Sequence, residues 1–155
     1  MKEIRPSFEI MDDIDGAKIL QKLERCGRVC YKSEDKITEG SAEKFIGMIL
    51  KSGHESVLEH EKLTVKFICD RGVTHEIVRH RIASYSQEST RYCNYSKDKF
   101  GNELTFIRPC FWADDSEEYA VWKQAMEDIE KTYVKLISLG AKPEEARSIL
   151  PNSLK

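Results

Sequence analysis

Apolar positions recur every three or four residues between Asp15 and Tyr31. Ile19, Leu20, Leu23, Cys26, Val29 and Cys30 fall on one face, which predicts a helix over that span. Ser33 to Gly40 is a polar connection. Ser41 is placed to cap a second helix with Phe45, Ile46, Ile49 and Leu50 on its buried stripe, and Gly53 to end it. From Leu63 to Cys69 the period changes to two. Leu63, Val65, Phe67 and Cys69 share one face of a strand, with Thr64, Lys66 and Ile68 opposite. Ile4 to Met11 carries scattered β-type positions broken by Pro6, which predicts an edge strand. Asp70-Arg71-Gly72 reads as a turn, and Thr74 as the cap of a helix that carries Glu76, Ile77 and Val78 into Arg79.

The second half opens its regular structure with a strand over Glu103–Arg108, stopped by Pro109. Asp115 and Glu118 form a capping-box-like start to a long helix. Its stripe is Tyr119, Trp122, Met126, Ile129, Tyr133, Leu136 and Ile137, and Gly140 closes it. Pro143 opens a short helix from Glu144 to Leu150, ended by Pro151. These elements predict an α+β fold, a small antiparallel sheet packed with helices, as a single domain over residues 1–155. Neither repeats nor low-complexity tracts interrupt it.

Composition narrows the function classes. The 155 residues hold 25 Lys and Arg against 27 Asp and Glu, so a basic site must be local and bulk nucleic-acid binding is disfavoured. No apolar run approaches membrane-spanning length and the N-terminus lacks a signal-peptide core, so a cytoplasmic protein with no membrane partner is expected. The 5 cysteines include no Cys-x-x-Cys pair. They read as reduced thiols, mostly small buried hydrophobes. His54-Glu55-Ser56-Val57-Leu58-Glu59-His60 gathers imidazoles and carboxylates, but this spacing matches no usual helical zinc pattern, and no metal is expected.

The stretch from Arg79 to Tyr92 stands apart. Among its 14 residues only Ile82 and Ala83 are aliphatic, while three are arginines and six carry hydroxyls: Ser84, Tyr85, Ser86, Ser89, Thr90 and Tyr92. Buried, each polar group would need its own partner. Arginine offers a planar fork of donors that fits phosphate and stacks on flat rings. A ligand with both a phosphate and a ring, a nucleotide, suits this chemistry. A solvated surface loop is the plainer alternative.

Arg79-His80-Arg81, seven further residues and Ser89, continuing to Arg91 and Tyr92, resemble the signature of the flavin-dependent thymidylate synthases. Gly53-His54-Glu55-Ser56 and Glu145-Ala146-Arg147-Ser148-Ile149-Leu150-Pro151 extend the resemblance, which runs from about Asp15 to Leu150. It implies flavin contacts from Ser56, Arg79, His80, Arg81 and Gln87. It implies deoxyuridine monophosphate contacts from Glu76, Arg79, Gln87, Ser89, Arg91 and Arg147, with Glu88 and Thr90 in the same loop. Gln87 stands where many members have glutamate, so it brings no charge. The implied reaction is reductive methylation of deoxyuridine monophosphate, with FAD as cofactor and methylenetetrahydrofolate and NADPH as co-substrates. A homotetramer with shared sites is implied too. Family members continue past this chain's last residue, so weak flavin retention and little turnover are expected of it.

The residues leave the catalytic group open. Ser89 has no activating base nearby in sequence and is assigned to binding, and Cys93 is the rival nucleophile by proximity. A single-stranded nucleic-acid module, with Arg79, Arg81 and Arg91 on phosphates and Tyr85, Tyr92 and Tyr95 stacking bases, is the alternative from another class. A non-catalytic nucleotide-binding remnant is the third.

Overall fold

A computed structural model describes residues 1–97, 99 and 101–155. The fold is α+β, with four short strands and five α-helices among the described residues. The chain divides into two compact units, one of Met1–Phe8 with Phe67–Lys155, the other of Glu9–Lys66. β1 (Lys2–Ile4) and β2 (Ser7–Ile10) replace the one strand expected over Ile4–Met11. The break falls at Arg5-Pro6, because proline has no N–H to give a ladder. β2 pairs with β3 (Val65–Ile68).

The Glu9–Lys66 unit is built on two helices. α1 (Gly16–Tyr31) starts where the Asp15 carboxylate accepts from the Lys18 N–H, 3.1 Å away. It ends at Lys32, which adopts the left-handed conformation (φ 47°). α2 (Ser41–Lys51) is preceded by Gly40 at φ 75°, so Gly40 rather than Ser41 is the cap. The Ser41 hydroxyl instead donates to the Glu24 carboxylate, 2.8 Å away. Leu23, Phe45, Ile46, Ile49 and Val57 form the core, while Leu50, expected on the stripe, is exposed. Gly27 is required here: a Cβ on it would lie 2.7 Å from the Phe45 ring. A 3-10 turn, Glu55–His60, follows.

The other unit places β1 beside β4 (Thr105–Ile107) in a parallel ladder, Lys2 against Thr105 and Ile4 against Ile107. The antiparallel sheet expected from sequence is corrected at this pair. Parallel strands need a long connection, and the hundred or so residues between β1 and β4 supply one. The C-terminal segment adds to β4, with an isolated antiparallel bridge between Phe106 and Leu154. α4 (Glu117–Ser138) packs its expected stripe inward. Trp122, Met126 and Tyr133 join Tyr95, Leu104, Phe106, Ala146 and Leu154 in the core. Its cap is Ser116, which accepts from the Tyr119 N–H, rather than Asp115. α5 (Pro143–Ala146) has proline at its first position, and a 3-10 turn, Arg147–Ile149, completes the expected short helix.

Two further expectations change. The strand expected over Leu63–Cys69 shortens to Val65–Ile68, leaving Leu63 outside it, and Leu63 and Phe67, marked as buried by alternation, are more than half exposed, β3 pairing with β2 alone in a two-stranded ribbon. All five cysteines are free, as read, but none is fully buried, and Cys30 and Cys110 are exposed. No helix is long and apolar enough to cross a membrane among the described residues.

Candidate functional site

α3 (Arg71–Ile77) delivers the signature stretch. Its cap is Asp70, whose carboxylate accepts from the Val73 N–H at 2.9 Å, so the expected turn at Asp70-Arg71-Gly72 is the helix start. Thr74, expected to be the cap, sits inside the helix, and its hydroxyl donates to the Arg71 carbonyl at 3.0 Å. Arg71 is the base of the site. Its backbone N–H lies 2.8 Å from the Asn152 carbonyl and 3.1 Å from that of Leu154. Its guanidinium donates to the Glu88 carbonyl at 2.8 Å.

The loop after α3 is irregular, yet it is tied down at several points. The Gln87 amide donates to the Thr74 hydroxyl at 2.7 Å. The Tyr85 hydroxyl donates to the His80 carbonyl at 2.7 Å. The Ser89 hydroxyl accepts from the Arg91 N–H at 3.2 Å, and the Ser89 carbonyl from the Cys93 N–H at 3.0 Å. The Glu88 carboxylate takes a hydrogen bond from the Tyr95 hydroxyl at 2.8 Å and an ion pair from Lys155 at 3.2 Å. Burial, and after it the hydrogen bond to Glu88, push the Tyr95 phenol well above its usual range. Glu88, Tyr95 and Lys155 also help to line a pocket of about 300 Å³ with Lys2, Glu103 and Thr105.

The tied groups are mostly backbone, amide and hydroxyl; the cations are left open. Arg79, His80, Arg81, Gln87, Glu88 and Arg91 are exposed, and Ser89 and Thr90 are half-buried. Among the described residues the guanidiniums of Arg79 and Arg81 make no hydrogen bond or ion pair, and Arg91 only leans over the Tyr92 ring, 5.6 Å from its centroid. Glu76 is exposed in the last turn of α3, and Arg147 is exposed where α5 gives way to the 3-10 turn, its guanidinium equally unpaired among the described residues. Ser56 belongs to the Glu55–His60 turn of the other unit.

Sequence reasoning missed Arg71 and Lys155. Both act through partners 17 and 67 residues away in the chain, a distance that no local pattern marks. It also misplaced Tyr95, which is buried with its hydroxyl on Glu88 and has no open face for a base. No imidazole or carboxylate bonds Ser89 among the described residues. No group of three or more His, Cys, Asp or Glu able to hold a metal occurs among them either.

Comparisons with known proteins place the chain in a family. The family model for the thymidylate synthase complementing protein matches residues 15–155. The flavin-dependent thymidylate synthase of Pyrococcus furiosus is 41% identical over 130 residues, which are 83% of this chain and 52% of the relative. That of Geobacter sulfurreducens is 34% identical over 133 residues, 81% of this chain and 56% of the relative. The chain thus spans about half the length of the curated relatives it matches. A crystal structure of a UMP/dUMP methylase, PolB from Streptomyces cacaoi, bound with 5-Br dUMP shares the fold. Its TM-score is 0.77 at 22% identity, over 99% of this chain and 71% of that one. With a family model that matches residues 15–155, nearly its whole length, the chain belongs to the thymidylate synthase complementing protein family.

Proposed function

We propose that this chain is the nucleotide-binding part of a flavin-dependent thymidylate synthase, which converts deoxyuridine monophosphate to deoxythymidine monophosphate. One observation carries the reading. A loop pinned through its backbone, amide and hydroxyl groups leaves Arg79, Arg81 and Arg91 without an internal counter-charge among the described residues. Such cations cost the fold little while exposed, and they supply the charge-assisted bonds that a phosphate needs. In this reading Glu76, Arg79, Gln87, Ser89, Thr90, Arg91 and Arg147 bind the substrate. Glu88 serves by anchoring the loop, since Tyr95 and Lys155 engage its carboxylate.

The same donor set fits a dinucleotide flavin, whose pyrophosphate is anionic. Ser56, Arg79, His80, Arg81 and Gln87 would hold FAD, which when bound supplies the hydride for the methylation. Methylenetetrahydrofolate brings the carbon and NADPH restores the flavin. The chain works in the cytoplasm as a homotetramer. The named relatives and the nucleotide in the PolB crystal support this reading.

The test is calorimetric. Deoxyuridine monophosphate and a single-stranded oligodeoxynucleotide are titrated separately into the purified chain. Binding of the mononucleotide that Arg91→Ala weakens is the expected result. Unchanged affinity in the variant, or tighter binding of the oligonucleotide, would overturn it.

A further inference from the structure

Tyr31 is the last residue of α1, and His54 follows the Gly53 that ends α2. Their side chains meet. The Tyr31 hydroxyl lies 2.5 Å from His54 Nδ1. The two rings are near parallel, 26° apart with centroids at 6.3 Å. Phe45 from the core meets the Tyr31 ring edge-on at 6.2 Å and 85°. The His54 backbone is fixed as well. Gly53 takes a positive φ of 69°, and the His54 N–H donates to the Ile49 carbonyl at 3.1 Å. An exposed histidine is thus held at its main chain and at one ring nitrogen, although burial gives no reason for either.

A phenol is the better donor of this pair, because its oxygen lone pair is delocalised into the ring. A neutral imidazole nitrogen is the better acceptor. The proton therefore lies on the tyrosine oxygen, and Nδ1 accepts. The remaining proton of the neutral ring must sit on Nε2. No described residue takes Nε2.

We infer that Tyr31 is a positioning residue that holds His54 as its Nε2–H tautomer, leaving that N–H as a fixed donor to an oxygen of a bound ligand. Phe45 props the tyrosine from behind, so the geometry is set before any ligand arrives. The identity of that ligand as flavin or nucleotide rests on the function proposed above; the tautomer does not.

The experiment is long-range proton–nitrogen correlation on the full chain with labelled histidine, at about pH 8, where an ordinary histidine is neutral. Wild type should show His54 with Nε2 protonated and with the Nδ1 resonance displaced by an accepted hydrogen bond. Tyr31→Phe keeps the ring on Phe45, so its melting temperature should barely move. It should lose the Nδ1 displacement and show mixed tautomers. A protonated Nδ1 in wild type, or an unchanged His54 spectrum in Tyr31→Phe, would overturn the inference. An Nε2–H resonance that neither deoxyuridine monophosphate nor excess FAD moves, with the tautomer as expected, counts against the ligand assignment alone.

Discussion

Two sets of arginines show opposite uses of one side chain. Arg28 in α1 is closed. Its Nε and a terminal nitrogen donate to Glu24 at 2.9 and 2.7 Å, and its guanidinium lies 4.5 Å above the Phe45 ring. The Ser41 hydroxyl completes the Glu24 carboxylate at 2.8 and 2.9 Å. The side chains of Arg28 and Glu24 are only 12% and 2% exposed. The arginines of the signature loop are open, solvated and without internal counter-charge among the described residues. A desolvated charge must be matched within the fold, because the interior offers no water to do it. A solvated one can wait for a ligand. The number of arginines in a stretch is therefore less informative than whether the chain supplies their partners.

Glu24→Ala should have the largest effect. It strands the mostly buried Arg28 and the Ser41 hydroxyl, and breaking a buried pair from one side costs about 3–5 kcal/mol. Urea unfolding followed by α-helical circular dichroism measures this. A loss under about 1 kcal/mol would mean that the closed arginine is no more structural than the open ones. Arg91→Ala tests the other side. It should weaken deoxyuridine monophosphate by about 1.5–3 kcal/mol, the worth of a charge-assisted bond, while urea unfolding hardly changes. A fold destabilised as much as the ligand would erase the distinction between the sets.

Tyr95→Phe falls between the two regions in kind, because it removes a structural bond from the binding loop. The expected cost is about 0.5–1.5 kcal/mol. Its pH dependence has a definite sign. The Tyr95 phenol is raised above its ordinary value of 10.0, first by burial and then by Glu88. The folded chain therefore keeps a proton that the unfolded chain releases. The stability from this group is complete below about pH 10 and drains away as pH rises beyond it. Tyr133 is raised in the same direction by burial, so Tyr95→Phe should flatten the alkaline loss without abolishing it. An unaltered slope between neutral pH and pH 11 or so would remove Tyr95 from this role. The smallest effect is expected for Arg81→Ala, within about 0.5 kcal/mol in unfolding, as for exposed positions generally. A larger loss would show that the loop cations have partners inside the fold.

The helices were legible because each carries its own evidence. The spacing of Leu23 with Phe45, Ile46 and Ile49, and of Trp122, Met126 and Tyr133, needs only local sequence to be read. Caps were harder. Asp70 lies four residues before the expected Thr74 and Ser116 one after the expected Asp115, since several neighbours could have supplied the same hydrogen bond, while Gly40, one before Ser41, caps by its left-handed backbone alone. Pairing was hardest. Nothing near Lys2–Ile4 announces Thr105–Ile107 as its partner or the parallel direction. The site divides the same way. Its open cations advertise themselves by composition, whereas Arg71, Tyr95 and Lys155, which anchor Glu88 and the loop around it, are joined only by folding.

The β1–β4 ladder also sets an order of assembly. Residues 1–8 belong to a unit whose other members begin at Phe67, and their partner strand lies beyond residue 100. The Ile107 N–H bonds the Ser153 carbonyl, so β4 itself is completed only near residue 153. As the chain emerges from a ribosome at about 5–20 residues per second, its first strand stays unpaired for several seconds. The stretch from Glu9 to Lys66 has no such wait, because its helices and core are contiguous in sequence. Contacts at short separation close first, so amides of α1 and α2 should gain hydrogen-exchange protection before those of β1 in a refolding pulse experiment. The reverse order would contradict this. A strand that precedes its partner by about a hundred residues is thus among the last to find its place.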